Sequence, residues 1–381
     1  MDKLVKKMLI MLVVMVAATS TVLADEIPLT FSTESGLRIQ LGGEIELEFI
    51  DVEKPGGFSN QDLVISNLRV DNRSPHMRID KAVLSTKIFY NENIYYKIEL
   101  NVRDDRASVD KHYARIKLPD YNTRLEVGKN KPMVARSRRT EGYALIGTAF
   151  WKGREYHVTS KTAFDLSETV GVDLGLSFAM KRPLAQDDVA EDKSFPMYTY
   201  DDYDVKDGQT FEYGVMLGTR VSDFYAQGWY YIGKLIDDYE WKQQLTMSLS
   251  DYDSDDMTHW WAGGRVGFDN KTLHACAEYI TAKDGLLPRN GYYVEGGVVL
   301  GRFQPIARYG VLNVEDYKAY TGNPRSWDRE LITFAVLTKL HEFITLKTEY
   351  YIVNEETGGT GGTSPSSVDD NQFLMQLKFE F

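Results

Sequence analysis

The 381-residue chain has one cysteine, Cys276, so no disulfide can form within it and a stapled secreted scaffold is excluded. After residue 24 no apolar run approaches the roughly 18–20 residues that a spanning helix requires. Catalytic signatures are missing as well. Neither G-x-S-x-G nor H-E-x-x-H occurs, and the six histidines (His76, His112, His157, His259, His274, His341) are scattered along the chain. Basic charge is in deficit, with 44 Lys+Arg against 56 Asp+Glu, which argues against nucleic-acid binding as the overall role. No cofactor motif is present. The one metal-like stretch, Asp251 to Asp256, lacks the Gly at position six and the Glu at position twelve of a calcium loop.

What is present begins with an export signal. Lys3, Lys6 and Lys7 form a positive n-region, Met8 to Val16 an apolar h-region, and Val22-Leu23-Ala24 a small-residue cleavage site. Residues 1–24 therefore read as a signal peptide and 25–381 as the mature domain. Without Asp2 and those lysines the balance is 41 Lys+Arg against 55 Asp+Glu. The chain closes on a strand of period two: Phe373, Met375, Leu377, Phe379 and Phe381 share one face, and Gln372, Leu374, Gln376, Lys378 and Glu380 the other. One face for lipid and one for a watery lumen is the pattern of a membrane barrel strand. An exported membrane protein with no spanning helix must be such a barrel, because only helices and closed barrels satisfy every backbone group in lipid. The expected location is a bacterial outer membrane, in contact with its lipids and lipopolysaccharide. The 24 Tyr, 17 Phe and 6 Trp suit two aromatic belts.

Alternating segments recur at 37–50, 78–90, 93–103, 110–118, 122–129, 154–165, 169–181, 211–221, 223–234, 241–250, 259–269, 271–281, 291–301, 303–312, 329–340, 342–353 and 371–381. Bacterial single-chain barrels have an even number of strands. Assigning the weakest segment, 241–250, to an outer loop leaves an all-β, transmembrane antiparallel β-barrel of 16 strands, with 18 as the fallback. Short turns then alternate with longer loops at 51–77, 104–109, 130–153, 182–210, 235–258, 282–290, 313–328 and 354–370. A barrel of this size is too wide for its own side chains to fill and leaves an aqueous channel.

Charge is uneven along the loops. Segment 182–210 carries a net −5 and 235–258 a net −6, which suits either a solvated surface or divalent-cation bridging to lipopolysaccharide phosphates. The third long loop, 130–153, is net +4, with Lys131, Arg136, Arg138, Arg139 and Lys152 against Glu141, and Lys129 precedes it. It also holds the apolar stretch Ala144 to Trp151, so it is expected to fold into the barrel. There Lys129, Lys131, Arg136, Arg138 and Arg139, with Lys81 on the wall, would form an anion-attracting constriction. The other reading is neutralisation of the inward carboxylates Glu44, Glu46 and Glu48. Further lumen positions are mixed in sign: Lys87, Lys97, Glu99, Arg103, Arg115, Lys117, Arg308, Lys347 and Glu349.

Several segments resemble the phosphate- and polyphosphate-selective porin family of Gram-negative outer membranes. They are Arg38-Ile-Gln40, Asn93-Ile-Tyr-Tyr-Lys-Ile-Glu-Leu100, Val127-Gly-Lys-Asn-Lys-Pro132, Asn290-Gly-Tyr-Tyr-Val-Glu-Gly296, Gln304-Pro-Ile-Ala-Arg-Tyr-Gly310 and the tail from Asp370 to Phe381. The similarity runs in order over nearly the whole mature chain, in individually soft motifs. The resemblance implies a sixteen-stranded, usually trimeric barrel with loop three folded inward. It also implies a channel for small anions or polar solutes, and the missing catalytic signatures argue against an enzyme. The family's Lys before Pro is retained as Lys131, but its adjacent Arg pair at the start of strand two reads Asp80-Lys81 here. A structural or adhesive barrel, or an outer-membrane enzyme, is the competing reading.

Overall fold

A computed structural model describes residues 29–33, 36–52, 75–103, 106–136, 139–141, 155–181, 210–234, 258–284, 287–314, 329–357, 366–369 and 371–381. The expected signal peptide, segment 241–250 and nearly all of the two acidic loops lie outside them.

The strands are β1 (Leu29–Ser32), β2 (Arg38–Val52), β3 (His76–Phe89), β4 (Ile94–Arg103), β5 (Arg106–Leu118), β6 (Thr123–Asn130), β7 (Glu155–Asp165), β8 (Val170–Lys181) and β9 (Thr210–Val221). They continue as β10 (Phe224–Lys234), β11 (Thr258–Asp269), β12 (Leu273–Asp284), β13 (Leu287–Val298), β14 (Phe303–Val314), β15 (Arg329–His341), β16 (Ile344–Thr357), β17 (Ser366–Asp369) and β18 (Gln372–Glu380). Every pairing between them is antiparallel, and β18 pairs with β2 to close the sheet on itself. Two strands add no stave. β17 pairs with β16 above the start of β18, and β1 pairs with β2 below the end of β18, so these three share one lane. The barrel therefore has the expected sixteen staves. The two short strands escaped the period-two reading because four residues are too few to show a period. Among the described residues no helix is long and apolar enough to cross a membrane.

Alternation sorts the side chains. Leu174, Leu176, Val215, Leu217, Val266, Val294 and Val336 stand exposed on the outer wall, while Ala179, Met216, Ile280, Tyr293 and Leu374 are buried on the inner one. Exposed aromatics mark both ends of the apolar band. Tyr90, Tyr121, Phe224 and Phe381 lie at the short-turn end; Phe211, Tyr213 and Tyr230 lie toward the long-loop end. The last lane ends as its sequence requires. Phe381 exchanges two backbone hydrogen bonds with Gly43, at 2.7 and 3.0 Å. Its ring lies on that glycine, where a Cβ would come within 2.7 Å of Cζ.

Candidate pore and its constriction

Period two turns Glu44, Glu46 and Glu48 of β2 inward together, as expected. Strand β3 meets them with an irregularity: Glu46 faces Lys81 but Leu47 faces Ile79, so Asp80 is an extra residue. A bulge of this kind brings two neighbouring side chains to one face. Lys81 pairs with Glu44, Arg78 pairs with Glu48 at 2.9 Å and Asp80 at 2.7 Å, and Lys378 reaches Glu44 at 3.0 Å. A second Asp-Lys bulge occurs on β5, where Lys111 faces Glu99 and Asp110 is the extra residue. Lys111 binds Glu99 at 2.5 Å, and Lys97 binds the same carboxylate.

The segment after β6 does turn into the lumen, and its contacts trace a path across it. Val134 is buried, and its carbonyl accepts a hydrogen bond from Arg265 of β11 at 3.1 Å. Arg136 donates to the Tyr293 hydroxyl at 3.3 Å, touches Cys276, and lies 3.6 Å from Glu295. Burial opposes its charge, but the polar side chains around it, Tyr293 foremost, more than offset this and raise its pKa above the ordinary arginine value. Arg139 pairs with Asp269 at 2.6 Å, and Thr140 accepts from Arg308 of β14. The Glu141 amide donates to Glu349 at 2.6 Å, while its carboxylate takes Lys347 at 3.0 Å. Glu141 thereby converges with Glu46 and Asp80, with oxygens all within 4.8 Å of one another. Each of these three carboxylates also has a cation: Lys347, Lys378 at 3.8 Å and Arg78 respectively.

The expected constriction cations are thus divided. Arg136 and Arg139 enter the lumen and pair with the wall carboxylates Glu295 and Asp269, while Glu44, Glu46 and Glu48 are met by Lys81, Lys378 and Arg78. Lys131 is half-buried at the start of the segment, and Arg138 lies outside the described residues. Arg103 ends β4, with its side chain outside them too. Lys129 is corrected. It is in register with His112 and Tyr156, and Tyr156 stands exposed on the outer wall, so Lys129 faces away from the lumen. Its place beside a basic loop suggested otherwise, but β6 turns Glu126 inward, and Lys129 lies an odd number of residues away. On the inner wall, Arg115 binds Glu126 at 2.5 Å beneath Tyr113, and Arg308 binds Glu295 at 2.7 Å, both as wall groups.

The inner wall also shows a feature that one strand at a time does not. Lys87 faces Lys97 directly across β3 and β4. Lys117 faces Arg124, which in turn faces Lys161, across β5, β6 and β7. Like charges placed directly opposite are unfavourable by several tenths of a kcal/mol. Lys161 has only Asp173 at 3.8 Å, and Lys87, Lys117 and Arg124 make no ion pair among the described residues. All five lie in the short-turn half of the wall. The far wall is aromatic. Tyr231 and Trp261 stack with ring centroids 4.1 Å apart and 9° between planes. Arg265 sits 5.3 Å from the Trp229 ring centroid. These rings lie flat because glycines face them in register: Gly214 under Tyr231, and Gly263 under Trp229, where a Cβ would approach Cζ2 to 2.5 Å.

No family model matches the chain, and no curated protein matches it. Its fold is similar to that of three solved outer-membrane proteins. The outer membrane channel DcaP of Acinetobacter baumannii is 12% identical, with a TM-score of 0.61 over 92% of this chain and 99% of that one. An anion-selective porin from Comamonas acidovorans is 9% identical, with a TM-score of 0.53 over 91% and 100%. The trimer form of OmpT, an outer membrane protein of Vibrio cholerae, is 12% identical, with a TM-score of 0.55 over 91% and 99%. At such identities the likeness speaks for architecture, and the architecture of this chain is the closed sixteen-stranded antiparallel barrel of outer-membrane porins.

Proposed function

We propose that this protein is an outer-membrane porin, a water-filled channel for passive diffusion of small hydrophilic solutes, and that it prefers anions. The observation that carries the preference is the row of cations facing one another on β3 to β7. Lys87, Lys97, Lys117, Arg124 and Lys161 hold positive charge on the wall in excess of the nearby Glu99, Glu126 and Asp173, so a passing anion relieves their repulsion. The inward segment is the constriction, and Arg136 and Arg139 keep it in place while offsetting wall carboxylates. The resemblance to phosphate-selective porins supports oxyanions among the solutes. The Asp80 carboxylate, standing where that family has an arginine, weakens phosphate as the sole substrate. A homotrimer in contact with outer-membrane lipid and lipopolysaccharide fits the same resemblance.

Reversal potential across a planar bilayer in a KCl gradient tests the reading. The wild type is expected to favour chloride, and Lys117→Gln, Arg124→Gln and Lys161→Gln together are expected to move the potential toward the potassium limit. A wild type that strongly prefers potassium, unchanged by these substitutions, would remove anion preference while leaving the channel. No conductance at all would favour a structural or adhesive barrel.

A further inference from the structure

Most of the outer wall is apolar between its two ends. The described outward-facing charges Asp51, Lys234, Lys283 and Glu330 all lie ten or more residues from the short-turn end of their strands. The stretch over β4 to β7 differs. His112 lies six residues from the short-turn end of β5, and Lys129, its register partner, six from that of β6. At about 3.3 Å per residue and a tilt near 40°, six residues rise about 15 Å, near the middle of an apolar band about 25 Å tall. A lysine at that depth is costly against lipid. His112 is tied to two tyrosines on the same outer face: Nδ1 is 3.3 Å from the Tyr96 hydroxyl and Nε2 is 3.1 Å from that of Tyr156. The wall is also lowest here. β6 is the shortest stave, with eight residues, and its pairing to β5 stops at His112–Lys129 while β5 runs on to Arg106.

We propose that the outer wall over β4 to β7 is the contact surface between copies of this chain in a homo-oligomer. Acyl chains offer neither acceptors nor ring faces to Lys129. A second copy offers both, because the patch itself pairs a cation with tyrosine rings and hydroxyls that receive one. Copies arranged about an axis beside this wall satisfy one another and withdraw Lys129 and His112 from lipid. The proposal rests on the membrane-barrel reading and is independent of anion preference.

Photo-crosslinking from the full-length protein in native outer membranes is the test, with a benzoylphenylalanine placed at Lys129, at Tyr156, and at the exposed Leu217 of β9 as the control. Light is expected to give covalent oligomers of this chain from 129 and 156, and at least about tenfold less from 217. Lipid adducts only at 129, equal yields from 217, or capture of a different protein would each overturn the contact. As a second arm, Lys129→Leu with His112→Leu is expected to weaken the oligomer about tenfold on native gels, with conductance per barrel retained. If the wall faces lipid instead, the same double change leaves the assembly intact and raises thermal stability, which refutes the proposal. Loss of conductance from every form, wild type included, would fail the porin reading, and the crosslinks would still decide the contact.

Discussion

At the scale of single residues, the inner wall is shaped by which side chains lie flat and which stand up. Tyr231 and Trp229 lie along the wall because Gly214 and Gly263 leave room beneath them. Gly214→Val would place a side chain inside the Tyr231 ring, which must then swing into the lumen. Overpacking of this kind costs about 1–3 kcal/mol. The expected result is a barrel that unfolds at lower temperature and passes less current per channel. Unchanged conductance would show that the ring does not border the conducting path. Residue scale is also where the sequence reading was least complete. Parity within a strand placed Glu44, Glu46, Glu48, Arg115 and Arg308 on the lumen side, and could have placed Arg124 and Lys161 there too. Parity within a strand cannot show which cation faces which. Lys117 opposite Arg124 appears only once the register of β5 on β6 is known.

At the scale of elements, the sixteen long strands were legible because each carries several full periods of alternation. Two devices were not. The bulges at Asp80 and Asp110 shift the phase by one residue, and in sequence a phase shift between two polar neighbours looks like noise. That the chain turns inward after β6 was legible from the cations of 130–153, whose apolar stretch 144–151 lies outside the described residues. The partners of those cations were not, since Asp269 and Glu295 lie more than a hundred residues further along the chain. Those partners now suggest how the segment stays in place. Glu141 is buried and joins Lys347 and Glu349 on β16 to the segment. Removing one partner of a buried ion pair costs about 3–5 kcal/mol, here charged to the segment rather than to strands zipped on both sides. Glu141→Gln is therefore expected to leave refolding intact and to make single-channel current noisier, with more frequent brief closures. A trace as quiet as the wild type would mean that Arg139 and Thr140 hold the segment without Glu141.

At the scale of the whole molecule, charge is distributed along the barrel axis as well as across it. The opposed cations Lys87, Lys97, Lys117, Arg124 and Lys161 lie toward the short-turn end. The long connections at the other end include the two most acidic stretches of sequence, 182–210 and 235–258. A channel whose fixed charge changes sign along its length conducts unequally in the two directions, because the field accumulates ions at one polarity and depletes them at the other. The asymmetry depends on screening. The Debye length is about 10 Å at 0.1 M salt and about 3 Å at 1 M. Current–voltage curves from barrels inserted in one orientation are therefore expected to rectify at 0.1 M KCl and to become nearly symmetric at 1 M. Lys117→Gln, Arg124→Gln and Lys161→Gln together remove three of the five opposed cations, so the low-salt asymmetry should shrink while the high-salt conductance stays close to that of the wild type. Rectification that survives both the triple change and high salt would trace instead to the inward segment, whose Arg136–Glu295 and Glu141–Lys347 pairs are largely buried and little screened.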